Sequence, residues 1–509
     1  MLNREGWSLL AILLFFLALL GAGFAHLGRE RSLGERLSAG GGAADTAAGL
    51  VAAAGGVVLL AVAPGTLYLY GLARIGLPLS LAAGEIALLC AILPRLRAAA
   101  PGALSAPELY SRDRLPRAAF AVVAAASALL LAAAGISLLA RVIAGVFALH
   151  QTLALAAAAL LCLVLALLCG PQARRRMDRG QAVLLAVLLS ALPAVAVWTG
   201  SAGEENLVEL LGGALARADT GRPLFADVLS DLCWGVGALG AVSLLVRAMA
   251  VREAYAVQHG TRIGAVLVAL LTVLAAAAGL LVRGVDAGLS TPAAAETALL
   301  QGAVNTALPA PVSALLVAAM TTALLLSAAG LLRAVGDLLA WDVLAPALGQ
   351  TQERPLCRAA DGIAVAGAVV AFLLWLNRSD PLTGMAQAAF LLGAVLGTGL
   401  LLRALGAAPT ARGAWGSLAA GTAVAVVWTA VPSLRALGMI GALPCAAAVA
   451  LTQGLFRPRP HKAVAEAPQA ADEPAAAPEE AQAPDEAQAA SEPETKKSEG
   501  EGENGTFAL

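Results

Sequence analysis

The chain has 509 residues, of which 59% are hydrophobic and only 13% charged, with a mean hydropathy of +0.80. That balance excludes a water-soluble core and indicates an all-α polytopic membrane protein. The formal net charge of −1 gives no basic surface for nucleic acid, and no GxxxxGKS or GxxxxGKT loop is present for ATP-driven work. Cys90, Cys162, Cys169, Cys233, Cys357 and Cys445 are scattered without a CxxC pair, and the four histidines are isolated. Neither a disulfide framework nor a transition-metal site is expected, and no enzymatic centre is legible.

Thirteen stretches are apolar enough, over about 18–30 residues, to cross a bilayer. They fall near 7–26, 48–73, 76–94, 118–148, 152–169, 181–199, 231–251, 263–283, 311–341, 360–377, 384–405, 413–432 and 435–456. The first resembles a signal peptide in length, but it lacks a small-residue cleavage site and is followed by basic residues, so it is read as a span.

The second span reads LVAAAGGVVLLAVAPGTLYLYG from Leu50 to Gly71, with Gly55 and Gly56 near its middle and Pro64 beyond. Two readings are open. Glycines permit unwinding, which bares carbonyl oxygens at membrane depth, or they let neighbouring helices approach closely. In the third span Glu85 is an intramembrane carboxylate, a type of residue that serves a substrate or a proton, or forms an ion pair. Arg141 and Arg247 are the candidate partners. Tyr68, Tyr70 and Trp234 are read either as cavity lining or as interface anchors.

Arg29, Arg31 and Arg36 follow the first span; Arg95, Arg97, Arg112, Arg114 and Arg117 follow the third; Arg174, Arg175, Arg176 and Arg179 follow the fifth. The loop after the sixth is acidic, with Glu204, Glu205, Glu209, Asp219, Asp227 and Asp231. The positive-inside rule then places the N-terminus outside and the C-terminus in the cytoplasm, as an odd span count requires. Asp178 is expected at the cytoplasmic start of the sixth span, where a carboxylate complements the helix dipole.

In the ninth span, AAMTTALLL (Ala318–Leu326) sets Thr321 and Thr322 side by side. Each hydroxyl either bonds the carbonyl one turn back or helps to hold a hard cation such as sodium together with carbonyls of a broken helix. Arg333 and Asp337, four apart, are expected to pair. From residue 457 the chain turns to Ala, Glu, Pro and Gln without apolar periodicity, the signature of a disordered cytoplasmic tail.

Several of these stretches together resemble the sodium:solute symporter family, in particular its proline and acetate branches. PGTLYLYG (Pro64–Gly71) is similar to the family's proline-glycine segment of the second helix, and ALSAPELYSRDR (Ala103–Arg114) to its stretch before the fourth. CGPQARRRMDRGQA (Cys169–Ala182) resembles its GG-x-x-A-x-x-x-TD-x-x-QA signature, keeping Gly170, Ala173, Asp178, Gln181 and Ala182. LLVRAMAVRE (Leu244–Glu253) and AAMTTALLL followed by GDLL (Gly336–Leu339) resemble two further family segments in the same order.

The resemblance implies a leucine-transporter-like core of two inverted five-helix repeats, about 48–199 and 231–405, each beginning with a helix broken at the midplane. The core would run over 48–405, preceded by 1–47 (first span and basic loop) and followed by two spans over 406–456 and the tail, 457–509. A sodium ion would be held by the carbonyls of Ala52, Gly55 and Ala318 and the hydroxyls of Thr321 and Thr322. Gly56, Glu85 and Trp234 would meet the solute, while Pro64, Gly65, Gly170, Asp178, Gln181 and Arg247 would be structural. Ala54, Gly56, Val242-Ser243 and Met177 stand where the proline branch carries Asp, Ser, Pro-His and Thr. The expected function is sodium-coupled symport of a small carboxylate or amino acid across a bacterial inner membrane. The alternative is a membrane sensor or scaffold that keeps the symporter fold.

Overall fold

In a computed structural model, the structure describes residues 4–24, 32–37, 41–168, 170–201, 212, 224–251, 254–285, 288–304, 308–349, 353–376, 381–407 and 409–456. The expectation of a disordered tail falls outside them. The described residues form helices and short turns.

The first helix, α1, is Arg4–Phe24. Next come α2 (Ala43–Ala54) and α3 (Ala63–Tyr70), linked by a wide turn over Val58–Val62. Then follow α4 (Gly76–Ala99), α5 (Arg114–Phe147), α6 (Gln151–Leu168) and α7 (Pro171–Ser201). Leu224–Ala238 and Val242–Met249 are α8 and α9, and Ala254–Val285 is α10. The remaining helices are α11 (Ala310–Leu348), α12 (Glu353–Leu376), α13 (Leu382–Ala404), α14 (Ala411–Ala430) and α15 (Ala442–Leu455).

Among the described residues, eleven helices are long and apolar enough to cross a membrane on their own, and the bent pair α2 and α3 makes a twelfth. The apolar part of α1, Gly6–Ala22, is shorter than these. Hydropathy also placed two helix starts too late. The helix α7 begins at Pro171, not near 181, and α10 at Ala254, not near 263. Both carry polar residues in helical turns that an apolar window does not count. The first turn of α7 is closed by the Arg174 N–H on the Gly170 carbonyl, 2.8 Å.

Two runs of five spans, from α2/α3 to α7 and from α8/α9 to α13, pack in matching ways. Broken helix α2 lies along α10, the second span of the other run, just as α8 lies along α4. The third members, α5 and α11, share the most extensive helix–helix contact among the described residues. Small residues allow these approaches. A Cβ on Gly84 would run into the Gly235 carbonyl, and one on Gly235 would meet the Ser80 carbonyl at 2.5 Å.

At one end of the bundle, Arg74 is buried between Asp231 (2.5 Å) and Asp227 (3.5 Å), fastening the end of the first broken helix to the start of the second. Glu296 takes Arg141 at 3.0 Å and the Leu382 and Thr383 backbone N–H groups at 2.9 and 2.7 Å, tying α5 to the start of α13.

Candidate functional site

The site grows from two interruptions of the helical backbone. The first lies at Gly55 and Gly56, between α2 and the turn before α3, where the axis bends by 57°. The Gly55 N–H bonds back to the Val51 and Ala52 carbonyls (3.2 and 3.3 Å), and the Gly56 N–H reaches only two residues back, to Ala54 (2.7 Å). Neither φ is positive, so room and not backbone freedom requires these glycines. A Cβ on Gly55 would strike the Leu185 side chain, and one on Gly56 would lie 2.8 Å from the Ser327 Oγ. Unwinding and close packing, open alternatives from sequence, therefore both hold. The second interruption is at Leu239–Ala241, between α8 and α9. There Gly240 rests against the backbone of Gly393 and Gly397 on α13.

Gln181, on α7, stitches the first break to α11. Its Nε2 donates to the Ala52 carbonyl and to the Ala323 carbonyl, both at 3.1 Å, and the side chain is 1% exposed. The two carbonyls are thus no more than twice that distance apart, with Thr322 the neighbour of Ala323. The Gln181 Oε1 is buried without a hydrogen-bond partner. Thr321 and Thr322 are also buried, so they do not face lipid. Their hydroxyls donate to the Val317 and Ala318 carbonyls, each at 2.7 Å, which leaves the oxygen lone pairs uncommitted by these bonds.

Beside this cluster lies a cavity of about 40 Å³ where both breaks meet. Gly56, Glu85, Ser243, Thr272, Ser327 and Phe390 are among the residues that line it. Glu85 is 9% exposed and its Oε2 has no hydrogen-bond partner. Of the readings open for Glu85 from sequence, the ion pair to Arg141 or Arg247 is not the one made: Arg141 is held by Glu296 and Arg247 by Asp178, each at 3.0 Å. Trp234, expected at the solute, is not part of the lining. It stands behind Phe390, ring centroids 5.1 Å apart, and at 1% exposure it is no interface anchor. Tyr68 and Tyr70 are likewise away from the cavity: the Tyr68 hydroxyl accepts the Leu289 N–H at 3.0 Å, and Tyr70 lies under the Arg74 guanidinium.

Asp178 is not at a helix start. With α7 beginning at Pro171, it lies two turns inside and is 3% exposed. Its Oδ1 takes Arg174 and Arg247, each at 3.0 Å, so two guanidinium groups and not a dipole balance it. Arg174 also reaches the Leu326 carbonyl at 2.7 Å, over Gly330, where a side chain would collide with it. Arg333 pairs with Asp337 at 3.4 Å as expected. Pro64 and Gly65 are packing residues: Gly65 faces the Ala295 carbonyl, 2.8 Å from where its Cβ would be, and Pro64 lies against Gly279. Sequence reasoning missed Arg174, Ser243, Thr272, Ser327 and Phe390. Thr272 and Ser327 left a signal, since each is a polar residue inside an apolar span.

The sequence model of the sodium:solute symporter family matches residues 39–421, from just before α2 to within α14. The chain belongs to the sodium:solute symporter family. Among solved structures, a substrate-bound, outward-open Na+-coupled sialic acid symporter is similar over 90% of this chain and 99% of its own, with a TM-score of 0.68 and 15% identity. Mhp1, a nucleobase-cation-symport-1 family transporter in a closed conformation with bromovinylhydantoin bound, covers 82% of this chain and 93% of its own, with a TM-score of 0.51 and 14% identity. No curated protein sequence matches the chain. The symporter is thus a multi-pass membrane protein with the two-repeat, broken-helix architecture expected of it.

Proposed function

We propose that the chain is a secondary active transporter that couples the sodium gradient to uptake of a small organic solute across a bacterial cytoplasmic membrane. The observation that carries this is the junction made by Gln181 between the first helix break and the Thr-bearing face of α11. The donor chemistry fits sodium as cargo. The carbonyls of Ala52, Gly55 and Ala318 and the hydroxyls of Thr321 and Thr322 are neutral hard oxygens, suited to a monovalent cation that must also leave. The orphaned Gln181 Oε1 is one more acceptor, buried beside them, that a cation would satisfy.

Solute would bind in the adjoining cavity, which at about 40 Å³ is far below the ~300–1,000 Å³ of ligand sites. Entry therefore requires the helices around the two breaks to part. Sodium on one wall and solute on the other would each favour the same arrangement of the first broken helix, which is what couples them. The basic loops favour an N-terminus outside and a C-terminus in the cytoplasm, which would put the Arg174, Asp178 and Arg247 cluster on the cytoplasmic side. A cavity bounded by two helix breaks supports transport over a purely structural scaffold.

The test is uptake by proteoliposomes of labelled amino acids, amines and carboxylates, with and without an inward sodium gradient. Accumulation that needs the gradient is the expected result. Sodium-independent equilibration, or no uptake of any solute with correctly inserted protein, would refute the proposal.

A further inference from the structure

The charge inventory around the cavity bears on which solutes fit it. Among the described residues that line it, the one ionisable side chain is that of Glu85. No arginine or histidine joins it, and the three lysines of the chain, Lys462, Lys496 and Lys497, all lie in the tail. The two arginines that could have neutralised Glu85 are bound elsewhere, to Glu296 and Asp178. Glu85 is more than nine-tenths buried, and its Oε2 has no hydrogen-bond partner. A buried carboxyl oxygen without a donor is costly and calls for an explanation, and one that lines a cavity can be completed by a ligand. The lining also includes Phe390, whose ring packs on Trp234 with centroids 5.1 Å apart. An aromatic face is the second group that attracts a cation in a dry site. Ser243, Thr272 and Ser327 add hydroxyl oxygens, and Thr272 lies within hydrogen-bonding reach of the Glu85 carboxyl while it also bonds the Val268 carbonyl at 2.9 Å.

We infer that the solute carries an ammonium group, which Glu85 receives through charge-assisted hydrogen bonds against the Phe390 ring. Resting on the symport reading, this narrows the solute to amines and amino acids. A solute whose only charge is a carboxylate would face Glu85 with no countercharge but sodium, and like charges across such a site are rejected. No bond is made or broken. The ammonium replaces its water shell with the carboxylate, the ring face and the hydroxyls.

The experiment uses the purified full chain in detergent and follows its unfolding midpoint with and without sodium. The probes are size-matched sets of amines, zwitterionic amino acids, carboxylates and neutral amides. Amine-bearing members are expected to raise the midpoint, and their carboxylate and neutral counterparts are not. Glu85→Gln, which keeps shape and hydrogen bonding, is expected to weaken amine binding roughly thirtyfold or more, the scale for truncating one partner of a buried charge pair. Glu85→Asp, which keeps the carboxyl group, should retain part of the binding. Three results overturn the inference: no amine-bearing probe binds the wild type, neutral or carboxylate probes bind as well, or Glu85→Gln binds amines undiminished. If amines bind through Glu85 but sodium has no effect on the wild type, the inference stands and the symport reading fails.

Discussion

The hydroxyl of Thr322 distinguishes a sodium ligand from a residue that only closes its own helix. Its Oγ1 donates to the Ala318 carbonyl at 2.7 Å, so the hydrogen is committed and the lone pairs are what a cation would use. Thr322→Val keeps the branched shape and removes the oxygen. As a ligand, Thr322 would take with it one of five proposed oxygens and alter the setting of another, the Ala318 carbonyl. The loss of a buried polar partner costs about 1–3 kcal/mol, or about 5- to 150-fold in apparent sodium affinity. If the hydroxyl serves only its own helix, the cost averages about 0.6 kcal/mol, less than threefold, and falls on stability alone. Thr322→Ser keeps the oxygen and is expected to be mild, and Thr322→Ala should match Val. The assay is uptake into proteoliposomes over a sodium titration, or the sodium-dependent unfolding midpoint if the solute is not in hand. Thr322→Val with a half-saturating sodium concentration within threefold of wild type would refute the ligand assignment.

Gln181→Met is expected to lose the bonds to the Ala52 and Ala323 carbonyls, lowering the unfolding midpoint and weakening the sodium response together, on a scale of about 1–3 kcal/mol; a drop in stability with unchanged sodium affinity would remove Gln181 from the site. Arg74→Met leaves Asp231 without the cation that pairs it, and removing one partner of a buried pair costs about 3–5 kcal/mol; adding Asp231→Asn should restore much of it in a detergent melt. Gly84→Ala, which drives a methyl into the Gly235 carbonyl, is expected to cost about 1–3 kcal/mol, whereas Gly102→Ala, with nothing within 4 Å, should melt like wild type. A reporter fused after Lys462 is expected in the cytoplasm and one near Gly203 outside it, so a periplasmic C-terminal reporter would reverse the orientation.

What could be foreseen from sequence followed from local chemistry. Span positions came from runs of apolar residues, and the two broken helices from resemblance together with Gly55 and Gly56. Pairing across the fold was not legible. Nothing local indicates that Arg174 and Arg247, 73 positions apart, share Asp178. Which of the two readings of Glu85 applies was not legible either, because nothing local shows that Arg141 finds Glu296 in the second repeat, 155 positions on. Helix ends were misplaced where arginine-rich turns stay helical, as at Pro171, since hydropathy reports the membrane and not the hydrogen-bond ladder. Trp234 was placed one layer too far forward because its own helix gives no sign that Phe390 lies between it and the cavity.

The small central cavity also bears on the return half of a transport cycle. A symporter must turn round unloaded as often as it does loaded, and a rigid solute-shaped void would have to travel with it. At about 24 cal/mol per Å³ a hole of about 150 Å³ would burden that step by about 3.6 kcal/mol, slowing it some 400-fold. Walls that close to about 40 Å³ reduce the burden to about 1 kcal/mol. Substitutions that swell the cavity, Leu331→Ala among them, would then throttle turnover at the unloaded step, and exchange of labelled for unlabelled solute, which bypasses it, would be spared.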